Sequence, residues 1–254
     1  MEIEAALLTL KPLNTATDEE VAVEVPVALT VNGISQAVML ATPADLEDFA
    51  LGFGLAEGWF SSRRDLLDLE VQAEPQGLEL ALTVTAACEQ RLKARRRTLA
   101  GRTGCGLCGV DSLTELAAVQ PQPVQAPQLA AGALDRALAA LPSAQPLNAR
   151  CGGLHGAAWC RPDGELLLAR EDVGRHNALD KLTGALARRE LDTREGFVLM
   201  SSRASYELVH KTAMAGAGLL ACMSAPSSLA VATARGLGLE LWAFVREGRA
   251  TRYA

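Results

Sequence analysis

Apolar and polar positions alternate differently in the two halves of the chain. Over residues 21–40 apolar side chains recur at about every second place, as in two half-buried strands, and Asn32-Gly33 between them is a strong signal for a two-residue hairpin turn. Residues 69–73 and 78–85 predict a second hairpin around Pro75-Gln76-Gly77. Between the hairpins, Thr42-Pro43 predicts the cap and first turn of a helix reaching Glu57, with Asp45, Glu47 and Asp48 near its positive end and Leu46, Phe49, Ala50 and Phe53 on its apolar face. The basic segment after Cys88 predicts another helix, and Ser112 with Glu115 gives a capping-box start for one more.

Beyond a proline-rich connector at 121–127 the pattern changes. A helix over 129–141 leads to strands near 153–160 and 165–171, joined by the turn Arg161-Pro162-Asp163-Gly164. From Phe197 the order is regular: strand 197–200, helix 206–215, strand 219–223, helix 228–235, strand 239–245. This β-α-β-α-β order predicts a largely parallel sheet with crossover helices, whose ligands bind beyond the carboxyl ends of the strands. The expected fold is α/β in two lobes, an α+β lobe over 1–120 and an α/β lobe over 128–254. Two loops fall at the ligand edge, Ser201-Ser202-Arg203-Ala204-Ser205 and Ser224-Ala225-Pro226-Ser227-Ser228. Serines before helices are ordinary caps, but two such loops on one edge, with Arg203 added, point to an anion site.

At 254 residues, nearly half of them hydrophobic, the chain can bury a core without covalent staples. A net charge of −6 argues against general nucleic-acid binding and leaves the basic stretch 91–102 for one phosphorylated ligand. No cationic segment followed by an apolar run opens the chain, so the expectation is a soluble cytoplasmic protein without a targeting or membrane segment.

Two segments carry chemistry. In Gly101-Arg102-Thr103-Gly104-Cys105-Gly106-Leu107-Cys108-Gly109, four glycines leave two thiols unshielded. Arg91, Lys93, Arg95, Arg96, Arg97 and Arg102 lie just upstream, and positive charge draws a cysteine below its usual pKa of about 8.5. Six cysteines in a chain of this size and compartment read as reactive or metal-ligating, not as a disulfide framework. Cys105, Cys108, Cys151 and His155 make a possible Cys3His zinc set. A zinc deaminase is disfavoured because Gly156-Ala157 follow His155 where a glutamate is needed. A thioredoxin-type dithiol lacks the preceding strand. The second segment, E-D-V-G-R-H-N-A-L-D-K at 171–181, crowds polar residues around one glycine between a strand and a helix. Asn177 is expected to cap that helix while Asp172, Arg175 and His176 project from the turn, and a buried salt-bridge network is the competing reading. His155, His176 and Lys211 fit either ligand contact or bracing.

With these motifs, S-S-R-A-S-Y-E-L-V-H-K at 201–211, the terminal L-W-A-F-V-R-E-G-R and the T-P-A-D-L-E-D-F-A-L-G-F segment, the chain closely resembles the FdhD family of formate dehydrogenase accessory sulfurtransferases. The resemblance implies a sulfur carrier that takes persulfide sulfur from a cysteine desulfurase and sulfurates the bis-molybdopterin guanine dinucleotide molybdenum cofactor before its insertion into formate dehydrogenase. It makes Cys105 the persulfide-bearing residue and Cys108 its companion. It places cofactor binding at Phe244, Val245, Arg246, Glu247, Gly248 and Arg249, which Arg203, Ser205 and His176 would extend. A cytidine deaminase-like C-terminal lobe and a homodimer are implied with it. A purely delivering cofactor chaperone is the alternative, with the cysteines serving only as a contact surface. The chain departs from the family pattern at Cys151, where threonine is expected, and at Ser202, where glycine is expected.

Overall fold

The computed structural model describes residues 6–12, 17–99 and 120–254. A short ribbon of β1 (Leu7–Leu10) and β2 (Glu19–Ala22) precedes a hairpin of β3 (Val25–Val31) and β4 (Ile34–Ala41). Asn32 and Gly33 both take positive φ at its turn, the geometry that the Asn-Gly pair favours. Strands β5 (Leu66–Glu74) and β6 (Gly77–Val84) form the second predicted hairpin, and β6 pairs parallel to β3, giving a four-stranded sheet in the order β4-β3-β6-β5. Alternate residues Val27, Leu29, Val31, Leu80, Leu82 and Val84 turn to one face. Helix α1 (Leu46–Ala56) covers it with Phe49, Ala50 and Phe53, and α2 (Ala86–Leu99) adds Cys88 and Leu92.

Helix α1 starts at Leu46, three residues later than Pro43 suggests. Thr42 does not cap it. The Thr42 amide donates to Asp172 Oδ2 at 3.0 Å and its hydroxyl accepts from the Val173 amide at 3.2 Å, so a contact distant in sequence claims the residue. Asp45 takes the N-cap place in the left-handed region at φ 51°.

After the connector come α3 (Ala133–Ala140) and α4 (Pro146–Cys151), then β7 (His155–Cys160), β8 (Leu166–Asp172), α5 (Arg175–Arg188), β9 (Phe197–Met200), α6 (Tyr206–Met214), β10 (Leu219–Cys222), α7 (Ser228–Leu237), β11 (Glu240–Arg246) and β12 (Arg249–Arg252). Their six strands form one sheet in the order β12-β11-β10-β9-β7-β8. Strands β9, β10 and β11 are mutually parallel, as the β-α-β-α-β order predicts, while β7 and β12 run against their neighbours. The two-residue period sorts the core. Ala157, Trp159, Val198, Met200, Leu220 and Cys222 meet α5, α6 and α7 on one face, and Ala158, Cys160, Phe197, Leu199, Leu219 and Ala221 meet Ala137 and Leu141 on the other.

The two larger sheets are joined through α1 and α5, whose backbones touch. A side chain at Gly52 would place its Cβ 1.7 Å from the Asp180 carbonyl oxygen, and one at Gly184 would meet the Asp48 carbonyl oxygen at 1.9 Å. Glycine at both positions permits this approach. Asp48 secures it between Arg170 at 2.7 Å and Arg188 at 3.0 Å. Among the described residues, no helix is long and apolar enough to cross a membrane.

Candidate functional site on the carboxyl edge of the sheet

Strand directions decide which loops meet. Strands β8, β9, β10 and β11 all point the same way, since β7 is antiparallel to both β8 and β9. The β8–α5, β9–α6 and β10–α7 turns, the β11–β12 hairpin and the first residue of β7 therefore share one edge. At a strand spacing of about 4.8 Å this edge runs for roughly 20 Å from β11 to β8. It carries Phe244–Arg249 at one end, then the serine loops, then His155, and finally the turn holding Arg175 and His176. Backbone bonds lock the centre: the Ala204 amide donates to Ala225 O, Ser224 to Ser202 O, and Phe244 to Ser224 O at 3.1 Å. Phe244 sits at φ 52°, a region rarely occupied by a bulky residue, where the β11–β12 register shifts.

The 171–181 run divides into inward and outward members. Glu171 accepts from the Leu147 and Asn148 amides at 3.0 and 2.7 Å and so caps α4, while burial pushes its pKa above the ordinary value. Asp172, fully buried, accepts from Lys181 Nζ at 2.6 Å, the Thr42 amide, the Gly174 amide and Asn177 Nδ2. It does not project from the turn as the sequence suggests, because every part of its carboxylate is used for bracing. Asn177 does not cap α5 either: its amide nitrogen donates to Leu40 O at 2.7 Å and to Asp172. Lys181 Nζ also donates to the Thr42 and Glu171 carbonyls. Asp180 receives Lys211 at 2.9 Å, with Glu57 at 3.3 Å from the same ammonium. Burial raises the Asp180 pKa to about 6 despite Lys211, and Lys211 itself is held above the usual lysine value by Asp180 and Glu57, which outweigh its burial. Lys211 is therefore a brace.

Arg175, His176 and His155 face the edge instead. Arg175 and His176 occupy the first turn of α5, which contains no acidic residue although acids are favoured there. Arg175 Nε is buried and has no hydrogen-bond partner among the described residues. His176 Nε2 lies 3.0 Å from Glu207 Oε2 and 3.3 Å from Ser205 Oγ. A carboxylate can only accept, so Nε2 carries a hydrogen directed at Glu207. Glu207 is held below its ordinary pKa, first by this bond. His155 is depressed by burial and then by Arg175 and His176, which favours a neutral imidazole. Ser205 caps α6 by accepting from the Leu208 amide, and the predicted Ser227 cap of α7 accepts from Ala230.

The predicted cofactor residues thus share one edge, where His176 touches Ser205 and Arg246 faces Arg249 across the β11–β12 pair. Arg203, Arg246, Glu247, Gly248 and Arg249 are exposed while Val245 is buried in the core. The arginines at 203, 246 and 249 form no salt bridge among the described residues. The Gly248 amide donates to Asp135 on α3 at 3.0 Å, fixing the hairpin tip. Cys105, Cys108, Arg102 and the helix expected after Cys108 lie outside the described residues. The zinc set shares that limit; among the described residues no cluster of three or more potential ligands exists. Cys88, Cys160 and Cys222 are buried, with burial pushing their thiols up, that of Cys160 to about 12. Arg91 and Lys93 are paired with Asp65 and Glu89, so two of the upstream charges are already matched.

Sequence reasoning passed over Glu207 and Gln120. Gln120 hydrogen-bonds the Tyr206 side chain and lines a cavity with Thr193, Arg194, Ala213, Met214 and Gly216, toward the opposite end of α6 from the edge. Neither residue has a motif or periodicity that announces its role.

Comparison with known proteins covers most of the chain. The sulfur carrier protein FdhD of Variovorax paradoxus (strain S110) is 54% identical over 226 residues, covering 89% of this chain and 81% of the relative. That of Cupriavidus necator is 52% identical over 237 residues, covering 93% and 82%. A crystal structure from Desulfotalea psychrophila, assigned as a formate dehydrogenase accessory protein, superposes with a TM-score of 0.70 at 23% identity over 97% of this chain and 94% of that one, which shows the shared fold. The FdhD/NarQ family profile matches residues 22–254, and the chain belongs to that family.

Proposed function

We propose that the protein is a sulfur carrier in formate dehydrogenase maturation, with Cys105 as the sulfur-bearing residue and the carboxyl edge as the binding site for the molybdenum cofactor that it serves as substrate. The supporting observation is the edge itself: among the described residues Arg175 Nε has no hydrogen-bond partner, and the exposed Arg203, Arg246 and Arg249 form no salt bridge. Such an edge fits a phosphorylated ligand of extended shape.

In this scheme the Cys105 thiolate attacks the outer sulfur of a persulfide on the cysteine desulfurase. The new Cys105 S–S bond forms as the desulfurase cysteine leaves as thiolate. Cys108 thiolate then attacks the inner sulfur, releasing the terminal sulfur as sulfide to the bound cofactor and leaving a Cys105–Cys108 disulfide for cellular thiols to reduce. The family relationship extends the proposal to a cytidine deaminase-like C-terminal lobe over 128–254, a homodimer and a cytoplasmic location.

The test is incubation with a cysteine desulfurase and cysteine, followed by intact and peptide mass measurement without reductant. A gain of one sulfur on Cys105, absent in Cys105→Ala, supports the carrier role. Failure of Cys105 to load sulfur refutes it. If Cys105→Ala keeps cofactor binding but loses maturation, delivery alone is not the function.

A further inference from the structure

The carboxylate of Glu207 sits among Arg175, His176 and Lys211. It stands in the first turn of α6, more than half exposed, and spends one oxygen on His176 Nε2 at 3.0 Å. Arg175 and His176 of α5 and Lys211 of α6 all lower its pKa, so the surrounding field is that of an anion site with an anion already in it. The Ser205 hydroxyl already caps α6, and Lys211 is neutralised by Asp180 and Glu57. Arg175 Nε has no acceptor among the described residues.

We propose that Glu207 is a specificity-determining residue of this edge: an internal counter-anion that repels small free oxyanions from Arg175 and His176 and admits only ligands with further contacts toward Arg203 and Arg246. The proposal rests on the reading of the edge as an anion site. A phosphate group entering there must displace the Glu207 carboxylate from His176 or lie beside it. A unit charge about 6 Å from a bound charge, in a half-exposed setting, changes binding by roughly tenfold. An extended ligand offsets that cost along the edge, whereas a free oxyanion has nothing with which to offset it.

Titration calorimetry with inorganic pyrophosphate tests this on the wild type, Glu207→Gln, Arg175→Gln/His176→Gln and the triple variant. Glutamine keeps an acceptor for His176, and Glu207 is exposed, so the single variant folds; thermal unfolding checks this. The expected result is binding about tenfold tighter in Glu207→Gln than in the wild type, with the gain abolished in the triple variant. A structural defect would not tighten binding. Unchanged or weaker binding in Glu207→Gln, while Arg175→Gln/His176→Gln still weakens the wild type, overturns the role of Glu207 and leaves the anion site standing. Binding that no substitution alters, or binding by none of the four proteins, overturns both.

Discussion

Two groups of residues from one eleven-residue run behave in opposite ways. Glu171, Asp172, Asn177, Asp180 and Lys181 turn inward, and their polar groups meet partners on α4, on the Thr42 turn and on Lys211. Arg175 and His176, between them in sequence, lie at an edge where Arg175 Nε has no acceptor among the described residues and the helix dipole is opposed. Polar density alone does not distinguish a brace from a site. Satisfaction does: a buried network with every member paired is scaffold, and an unmatched charge held in place by that scaffold is available for a ligand.

Stability and binding should separate along this division. Lys181→Met strands the Asp172 carboxylate in the core, and loss of one partner from such a pair costs about 3–5 kcal/mol, measurable by urea unfolding. A cost under about 1 kcal/mol would erase the distinction drawn between the two groups. Gly52→Ala forces α1 from the Asp180 carbonyl, an overpacking cost of about 1–3 kcal/mol in the same measurement.

The Asp180 group gives the comparison a pH signature. Lys211 with Asp180 and Glu57 carries a net negative charge when all three are ionised, and the folded protein takes up a proton on Asp180 near pH 6, whereas the unfolded chain does so near its ordinary value of about 4. Between these values the native state binds more protons, so this group raises stability as pH falls from about 6 toward 4. Asp180→Asn should remove that contribution, seen as a wild-type-minus-variant difference in unfolding free energy that grows on acidification. A difference independent of pH would contradict the placement of Asp180.

The outward half should respond in the reverse sense. Arg203→Ala and Arg246→Ala should change stability by less than about 0.5 kcal/mol while weakening phosphorylated ligands, a loss that falls with added salt. The smallest effect is at His155: NMR titration should place it below the ordinary histidine value, and Arg175→Gln should move it back up.

Much of the framework was legible in the residues. The 197–200 strand, the Asn32-Gly33 hairpin and the serine caps of α6 and α7 follow from short-range chemistry, and the structure has them as expected. The start of α1 was misplaced because Thr42 is engaged by Asp172, 130 residues away. Asn177 looked like a cap for the same reason: its partner at Leu40 is distant in sequence. Glu207 acquires its meaning only when α5 and α6 are brought together, and no local pattern encodes that.

The most direct test couples both halves of the proposed function. Arg175→Gln/His176→Gln should still load sulfur on Cys105 from a cysteine desulfurase, as read by peptide mass, yet fail to restore active formate dehydrogenase in cells lacking the native protein. Full restoration of formate dehydrogenase by that variant, with normal loading, would contradict the assignment of the edge as the site of delivery.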